Sequence, residues 1–141
     1  MASLDELFDM VKAAHENGCK DLTLLKCTST YPATPENTNL NTIPDMKKQI
    51  KDKLNVDVEI GLSDHTMGIG VAVASIAFGV KVIEKHFTLS RAEGGVDAAF
   101  SMEPEEMSSL VDETSKAFKA LGNINYGISS EQEEKSTIFR R

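Results

Sequence analysis

Apolar positions recur along the chain with two patterns, one typical of helices and one typical of short buried strands. Residues 4–17 place Leu4, Leu7 and Val11 on one face of a predicted helix. Gly18 is a natural end for this helix, because glycine tolerates the left-handed conformation that helix ends adopt.

The same analysis predicts three strands and three further helices. The stretch that contains Pro32 and Pro35 is too rich in proline for regular structure, and residues 91–100 form a glycine-containing loop. The predicted strands are 21–27, 56–62 and 81–88, and the further helices are 42–54, 67–78 and 104–121.

The predicted order α-β-α-β-α-β-α indicates the α/β class with a parallel sheet. Strands that are separated by helices of ten or more residues are the sequence form of right-handed βαβ units. A complete eight-fold β/α barrel takes about 250 residues. A chain of 141 residues therefore has room for only part of such a barrel.

The charge balance excludes two classes of partner. Fifteen basic and 22 acidic residues give a formal net charge of −7, whereas nucleic-acid and anionic-membrane binders need clustered Lys and Arg. No apolar run approaches the roughly 20 residues of a membrane helix, and the N-terminus lacks the order of a signal peptide. We therefore expect a cytoplasmic protein that binds neither nucleic acid nor membrane.

Two of the three histidines lie at the same end of neighbouring predicted strands. His65 follows the second strand, and His86 lies near the end of the third. Strand alternation places each on a face that two parallel strands can share. Imidazole nitrogen is a common ligand for divalent metals. From spacing alone, a shared metal competes with two other interpretations, a hydrogen-bonded structural pair and a pair that contacts phosphate.

Polar residues at the same strand ends are further candidates. Ser29 and Ser63 carry hydroxyls that can donate to an anion, although such residues also cap turns. Asp97 follows two glycines in a loop where the backbone can approach a ligand, and a plain glycine turn explains the pattern equally well. Glu84 is expected to be buried and to need a partner, and Lys85 is interpreted as a lysine at an edge or on the outer face of the sheet.

Three segments resemble the sialic acid synthase family, and the third is most similar to pseudaminic acid synthases. The match extends over nearly the whole chain. Its motifs are LLKCTSTYPATPE (24–36), IGLSDHTMGIGVAVASIAFGVKVIEKHFTLSR (60–91) and GGVDAAFSMEPEEM (94–107).

This resemblance implies a fold and a reaction. Enzymes of the family condense phosphoenolpyruvate with the open-chain aldehyde of an N-acetylated amino sugar and release a nonulosonic acid and phosphate. Their β/α barrel holds a divalent cation, usually Mn²⁺, with Mg²⁺ or Co²⁺ as alternatives. The cation acts as a Lewis acid on the aldehyde.

The resemblance also assigns roles to residues of this chain. His65 and His86 are implied as the metal ligands and catalytic residues. Ser29 and Ser63 are implied to contact phosphoenolpyruvate, although relatives often have Asn at the Ser29 position. Tyr31 and Asp97 are implied to contact the sugar.

At the level of domains, the resemblance implies that residues 1–128 are about the last three units of a TIM-type (β/α)8 barrel. Residues 129–141 are expected to be a linker towards an antifreeze-like domain, which completes the site of a neighbouring subunit in a homodimer. We expect no substantial synthase activity from this chain alone. The alternative is a non-catalytic half-barrel module that acts by association with another chain.

Overall fold

Helices and parallel strands alternate through the part of the chain that the structure describes. The structure is a computed structural model, and it describes residues 2–127 and Ser136. The predicted linker at 129–141 therefore lies, apart from Ser136, outside the described residues. The elements are α1 (Leu4–Glu16), β1 (Thr23–Cys27), α2 (Pro35–Thr38), α3 (Thr42–Leu54), β2 (Glu59–Ser63), α4 (Gly70–Ser75), β3 (Ile83–Glu84) and α5 (Pro104–Leu121), with 3-10 turns at Ile76–Phe78, Arg91–Glu93 and Ala98–Phe100.

The three strands form one parallel sheet in the order β1-β2-β3. In its register Cys27 lies opposite Ser63, and Ser63 lies opposite Glu84. Each strand is connected to the next through helical segments, as parallel strands require. This confirms the α/β class with parallel β/α units.

The helices pack on one face of this sheet. Val11 of α1 and Ile50 of α3 are fully buried against Ile60 and Leu62 of β2. Because side chains alternate along a strand, the residues two positions further along each strand point to the same helix-covered side. The opposite face of β2 carries Gly61 and Ser63.

Gly61 is required by the close approach of its neighbouring strands. A Cβ atom built there lies 2.4 Å from Leu25 Cδ2 and 2.6 Å from the Val82 carbonyl oxygen. These separations are too short for any side chain, so only glycine lets the three strands pair at this level.

Three helix ends lie at the residues that the sequence predicts: the start of α1, the end of α3 and the start of α5. Ser3 and Glu6 form a capping box at the start of α1, and Pro104 occupies the first turn of α5. Helix α3 ends at Leu54, as predicted, because Asn55 takes the left-handed conformation with φ 54°.

Several predicted elements had wrong boundaries: β1 begins at Thr23 rather than residue 21, and β2 spans Glu59–Ser63 rather than 56–62. The proline-containing stretch includes the short helix α2, in which Pro35 starts the first turn where no N–H is needed. Helix α4 begins at Gly70 rather than residue 67, since Gly68 adopts a positive φ of 74°. The third strand pairs with β2 only at Ile83–Glu84, and beyond it Phe87 pairs with Met102.

Among the described residues, no helix has both the length and the apolar character that crossing a membrane requires.

Candidate functional site

The two strand-end histidines meet at the carboxyl edge of the sheet. His65 lies two residues beyond the end of β2, and His86 lies two residues beyond β3. Ser63 and Glu84 are paired in register. The residues two positions further along each chain segment, His65 and His86, therefore also lie side by side. The ring centroids of the two histidines are 5.1 Å apart, with the ring planes inclined by 64°.

His65 is held in one orientation by the backbone at the end of β1. Its side chain is buried, and Nδ1 lies 2.8 Å from the carbonyl oxygen of Thr28. A carbonyl oxygen only accepts, so Nδ1 carries the proton and donates it. The lone pair of Nε2 is therefore left for another partner.

A carboxylate faces His86, just beyond hydrogen-bond distance. Its Nδ1 lies 3.6 Å from Asp97 Oδ2, and about a third of its side chain is exposed. Asp97 thus faces the imidazole from the loop that follows β3. A carboxylate or carbonyl behind a histidine is the usual second partner of a metal-bound imidazole.

These two imidazoles fit a divalent cation as a partial set of ligands. Nδ1 of His65 is engaged by the Thr28 carbonyl and Nδ1 of His86 faces Asp97, so Nε2 of each imidazole could hold a cation. Within the described part of the chain, no group of three or more His, Cys, Asp or Glu side chains is arranged to hold an ion. The remaining positions would be filled by water, by substrate or by other parts of the protein.

Two aromatic rings surround the imidazoles. The centroid of Tyr31 is 4.3 Å from that of His65, and the centroid of Phe100 is 5.1 Å from that of His86. Tyr31 was a candidate from the sequence, whereas Phe100 was missed. The signal for it was its position three residues after Asp97 in a loop that follows a strand end.

The remaining hydroxyl candidates are placed differently. The buried Ser63 donates from Oγ to Glu84 Oε1 at 2.8 Å, so its proton is already engaged. Glu84 is exposed, contrary to the expectation that it is buried, because it lies on the edge strand and on the face of the sheet that the helices leave uncovered. Ser29 is exposed at the end of β1, with Oγ 3.9 Å from Cys27 Sγ.

A buried ion pair lies directly behind the site and was not foreseen from the sequence. Lys85 Nζ is 2.8 Å from Asp64 Oδ2, and the two side chains are 2% and 0% exposed. Lys85 also donates to the carbonyl oxygens of Thr66 (2.7 Å) and Gly68 (3.0 Å). Asp64 precedes His65 and Lys85 precedes His86, so this pair fixes the two backbone segments that carry the imidazoles.

Lys26 of β1 also points to the helix-covered side, since it lies opposite the buried Leu62 in the register. It is buried and donates to Thr28 Oγ1 at 2.6 Å. Burial lowers the pKa of this lysine below its ordinary value. Neither Lys26 nor Lys85 therefore offers positive charge to the side of the sheet that carries the histidines.

The loop that carries Asp97 and Phe100 is fastened by Arg91. Its backbone N–H donates to Glu103 Oε1 (2.8 Å), its Nε donates to the Ser101 carbonyl (2.9 Å), and its guanidinium pairs with Glu103 and Glu106. The backbone N–H of Glu103 lowers the pKa of Glu106; desolvation opposes this, and Arg91 lowers the pKa further. Both ends of the loop are thereby tied to the start of α5.

The chain matches the sequence model of one protein family and is similar to several known proteins. The sequence model of the NeuB family matches residues 1–126. The chain is 43% identical to an uncharacterised protein of Methanocaldococcus jannaschii over 123 residues, which cover 87% of this chain and 35% of that protein. It is 38% identical to the pseudaminic acid synthase of Campylobacter jejuni over 141 residues, which cover 100% of this chain and 39% of the synthase.

A solved structure extends the likeness to the fold. The N-acetylneuraminic acid (sialic acid) synthetase from Leptospira borgpetersenii, solved in complex with citrate, superposes with a TM-score of 0.79 at 31% identity. The superposition covers 99% of this chain and 46% of that one. It confirms the fold class, parallel units that form part of a (β/α)8 barrel. The chain spans between about a third and just under half of the length of these relatives.

Proposed function

The chain belongs to the NeuB family, and from that premise we propose that it supplies the metal ligands and part of the sugar site of a nonulosonate synthase. The reaction condenses phosphoenolpyruvate with the aldehyde of an N-acetylated amino sugar, consumes one water and releases phosphate. The observation that carries the proposal is the convergence of His65 and His86, 5.1 Å apart, at the carboxyl edge of the sheet. That edge is where barrel enzymes place their chemistry.

In this proposal His65 and His86 hold the divalent cation, Mn²⁺ in the first instance, through Nε2. When bound, the cation supplies Lewis-acid polarisation of the aldehyde carbonyl. The Thr28 carbonyl keeps the His65 ring in the required tautomer, and the Asp97 carboxylate lies on the Nδ1 side of the His86 ring.

The other residues of the site bind and orient the two substrates. Tyr31 gives the sugar an apolar contact beside the imidazoles, and Asp97 is an acceptor for its hydroxyl or amide hydrogens. Ser63 binds phosphoenolpyruvate by turning its hydroxyl away from Glu84, and Ser29 donates to the same substrate from the end of β1. These hydroxyls can orient an anion, but they do not neutralise it.

The orientation of Lys26 and Lys85 leads to an expectation for the isolated chain. Lys26 and Lys85 point to the helix-covered side, and Lys85 is committed to Asp64. Phosphate groups need a cationic partner in a site that excludes water. We therefore propose that the cationic residues come from further strands of a complete barrel, within a cytoplasmic homodimer, and that this chain alone does not turn over.

The test is an assay of phosphate release from phosphoenolpyruvate with Mn²⁺ and each candidate N-acetylated amino sugar. The protein is prepared twice, as this chain alone and as a complete barrel in which the chain is joined to the strands that its relatives carry. We expect release that depends on the sugar from the complete barrel and none from the chain alone. Absence of phosphate release from the complete barrel with every sugar would refute the proposal. Robust turnover by the chain alone would refute the expectation that the cationic residues of the site come from other strands.

A further inference from the structure

The rings of Tyr31 and Phe100 form a small apolar surface beside the imidazole pair. They come from the loops after β1 and β3, yet their centroids are 5.7 Å apart. The centroid of Tyr31 also lies 5.9 Å from that of His86. The two rings therefore lie against the same imidazole from two directions.

This apolar surface is not part of the core. Neither ring belongs to, or packs against, the two hydrophobic clusters found among the described residues. Tyr31 keeps 54% of its surface exposed, and Phe100 is half-buried. The rings contact the histidines and each other, and part of their surface remains accessible to a ligand.

Phe100 and Asp97 are presented by the same turn. Asp97 begins the 3-10 turn Ala98–Phe100, and its carbonyl oxygen accepts from the backbone N–H of Phe100 (3.4 Å) and from Ser101 Oγ (2.7 Å). The buried Ala98 anchors this turn. A ligand beside His86 therefore meets a carboxylate and an aromatic ring in a fixed relation.

From this arrangement we propose that Phe100, with Tyr31, determines specificity by receiving the methyl group of the sugar's acetamido substituent. The inference rests on the proposed function, which places the aldehyde at the imidazole pair. In a 2-acetamido sugar the acetamido group is attached to the carbon next to the aldehyde, so it lies beside the pair when the aldehyde does. Aromatic rings stabilise a buried methyl group, while Asp97 accepts a hydrogen from the same ligand.

The test compares the N-acetyl sugar with its N-formyl analogue, which lacks only the methyl group. For the complete barrel, kcat/KM is measured for both sugars with the wild type, Phe100→Ala, Phe100→Leu and Phe118→Ala. Phe118 is the matched control, since it is an exposed phenylalanine on α5 outside the site. The preference for the acetyl sugar is expected to fall about fourfold in Phe100→Ala, as for one lost methyl contact. It is expected to be largely kept in Phe100→Leu and unchanged in Phe118→Ala.

A binding measurement keeps the inference separate from the proposed reaction. Saturation-transfer NMR on the same proteins reports how closely the acetyl methyl contacts the protein, whether or not turnover occurs. We expect the methyl signal to dominate in the wild type and to weaken, relative to the sugar ring protons, in Phe100→Ala. An unchanged methyl signal, or an unchanged kcat/KM ratio with turnover intact, would overturn the inference and leave the proposed function standing. Absence of all turnover would refute the proposed function, and the methyl signal would still decide the role of Phe100.

Discussion

Lys85 links the ends of two strands from the side opposite the histidines. Its ammonium group is matched by Asp64 Oδ2 and by two backbone carbonyls of the loop between β2 and α4. The other carboxylate oxygen of Asp64 accepts from both the N–H and the hydroxyl of Thr66. Every charged atom of the pair is therefore satisfied in a site that water does not reach, which is the condition under which a buried ion pair is tolerated.

Replacement of Lys85 by methionine is expected to destabilise the protein by about 3–5 kcal/mol, because it leaves the Asp64 carboxylate buried without its partner. The free energy of unfolding is measured by urea denaturation. Lys48→Met serves as the matched control, since Lys48 pairs with Asp52 on the exposed surface of α3. If Lys85→Met loses no more stability than Lys48→Met, the buried pair does not hold the strand ends. Asp64→Asn combined with Lys85→Met should recover part of the loss.

At the residue scale, the sequence placed the histidines well and their supporting residues poorly. The shared orientation of His65 and His86 follows from strand alternation. Each histidine lies two residues beyond the end of a strand and therefore faces the same side as the last residue of that strand. The partner of Lys85 depends on the register between β2 and β3, which no local pattern encodes. Phe100 was missed for the same reason, since its contact with Tyr31 joins two loops that are distant in the sequence.

Strand β2 is the element on which the site depends. It carries Ser63, leads directly into Asp64 and His65, and pairs with both other strands. Its pairing on both sides requires Gly61, where the Val82 carbonyl and the Leu25 side chain leave no room for a Cβ atom. The sequence predicted this strand but gave no reason for its glycine, because the obstruction comes from neighbouring strands.

Replacement of Gly61 by alanine should therefore cost about 1–3 kcal/mol through forced separation of the strands. Gly70→Ala is the matched control, because no atom lies within 4 Å of the added Cβ and the residue starts a helix. Alanine there should be neutral or slightly stabilising. Thermal and urea denaturation of the two variants would distinguish the sites, and equal stability of both would contradict this account of β2.

The short β3 shows where the prediction of elements failed. Residues 81–88 have the composition of a strand, but only Ile83 and Glu84 pair with β2. Beyond them the chain turns so that Lys85 reaches Asp64, and Phe87 pairs with Met102 instead. Met102 lies between a glycine-containing loop and α5, and its neighbours carry no strand pattern.

At the scale of the whole molecule, the sheet is a section of a larger arrangement. Its three strands carry helices on one face and the histidines on the other, and the superposed synthetase is more than twice as long. Length and composition describe an acidic chain of one-domain size, and they do not distinguish a small domain from part of a barrel. The strand-end motifs made that distinction through their resemblance to a family whose members are more than twice as long as this chain.

The proposed function requires that His65 and His86 bind one divalent cation. It is tested most directly by calorimetric titration of Mn²⁺ into the complete barrel, with the wild type, His65→Ala, His86→Ala and His15→Ala. His15 is the exposed histidine of α1 and serves as the matched control. Loss of either ligand is expected to weaken Mn²⁺ binding by about tenfold or more, since even loss of a supporting partner has an effect of that size, while His15→Ala binds as the wild type does. Unchanged Mn²⁺ affinity in folded His65→Ala and His86→Ala would contradict the account.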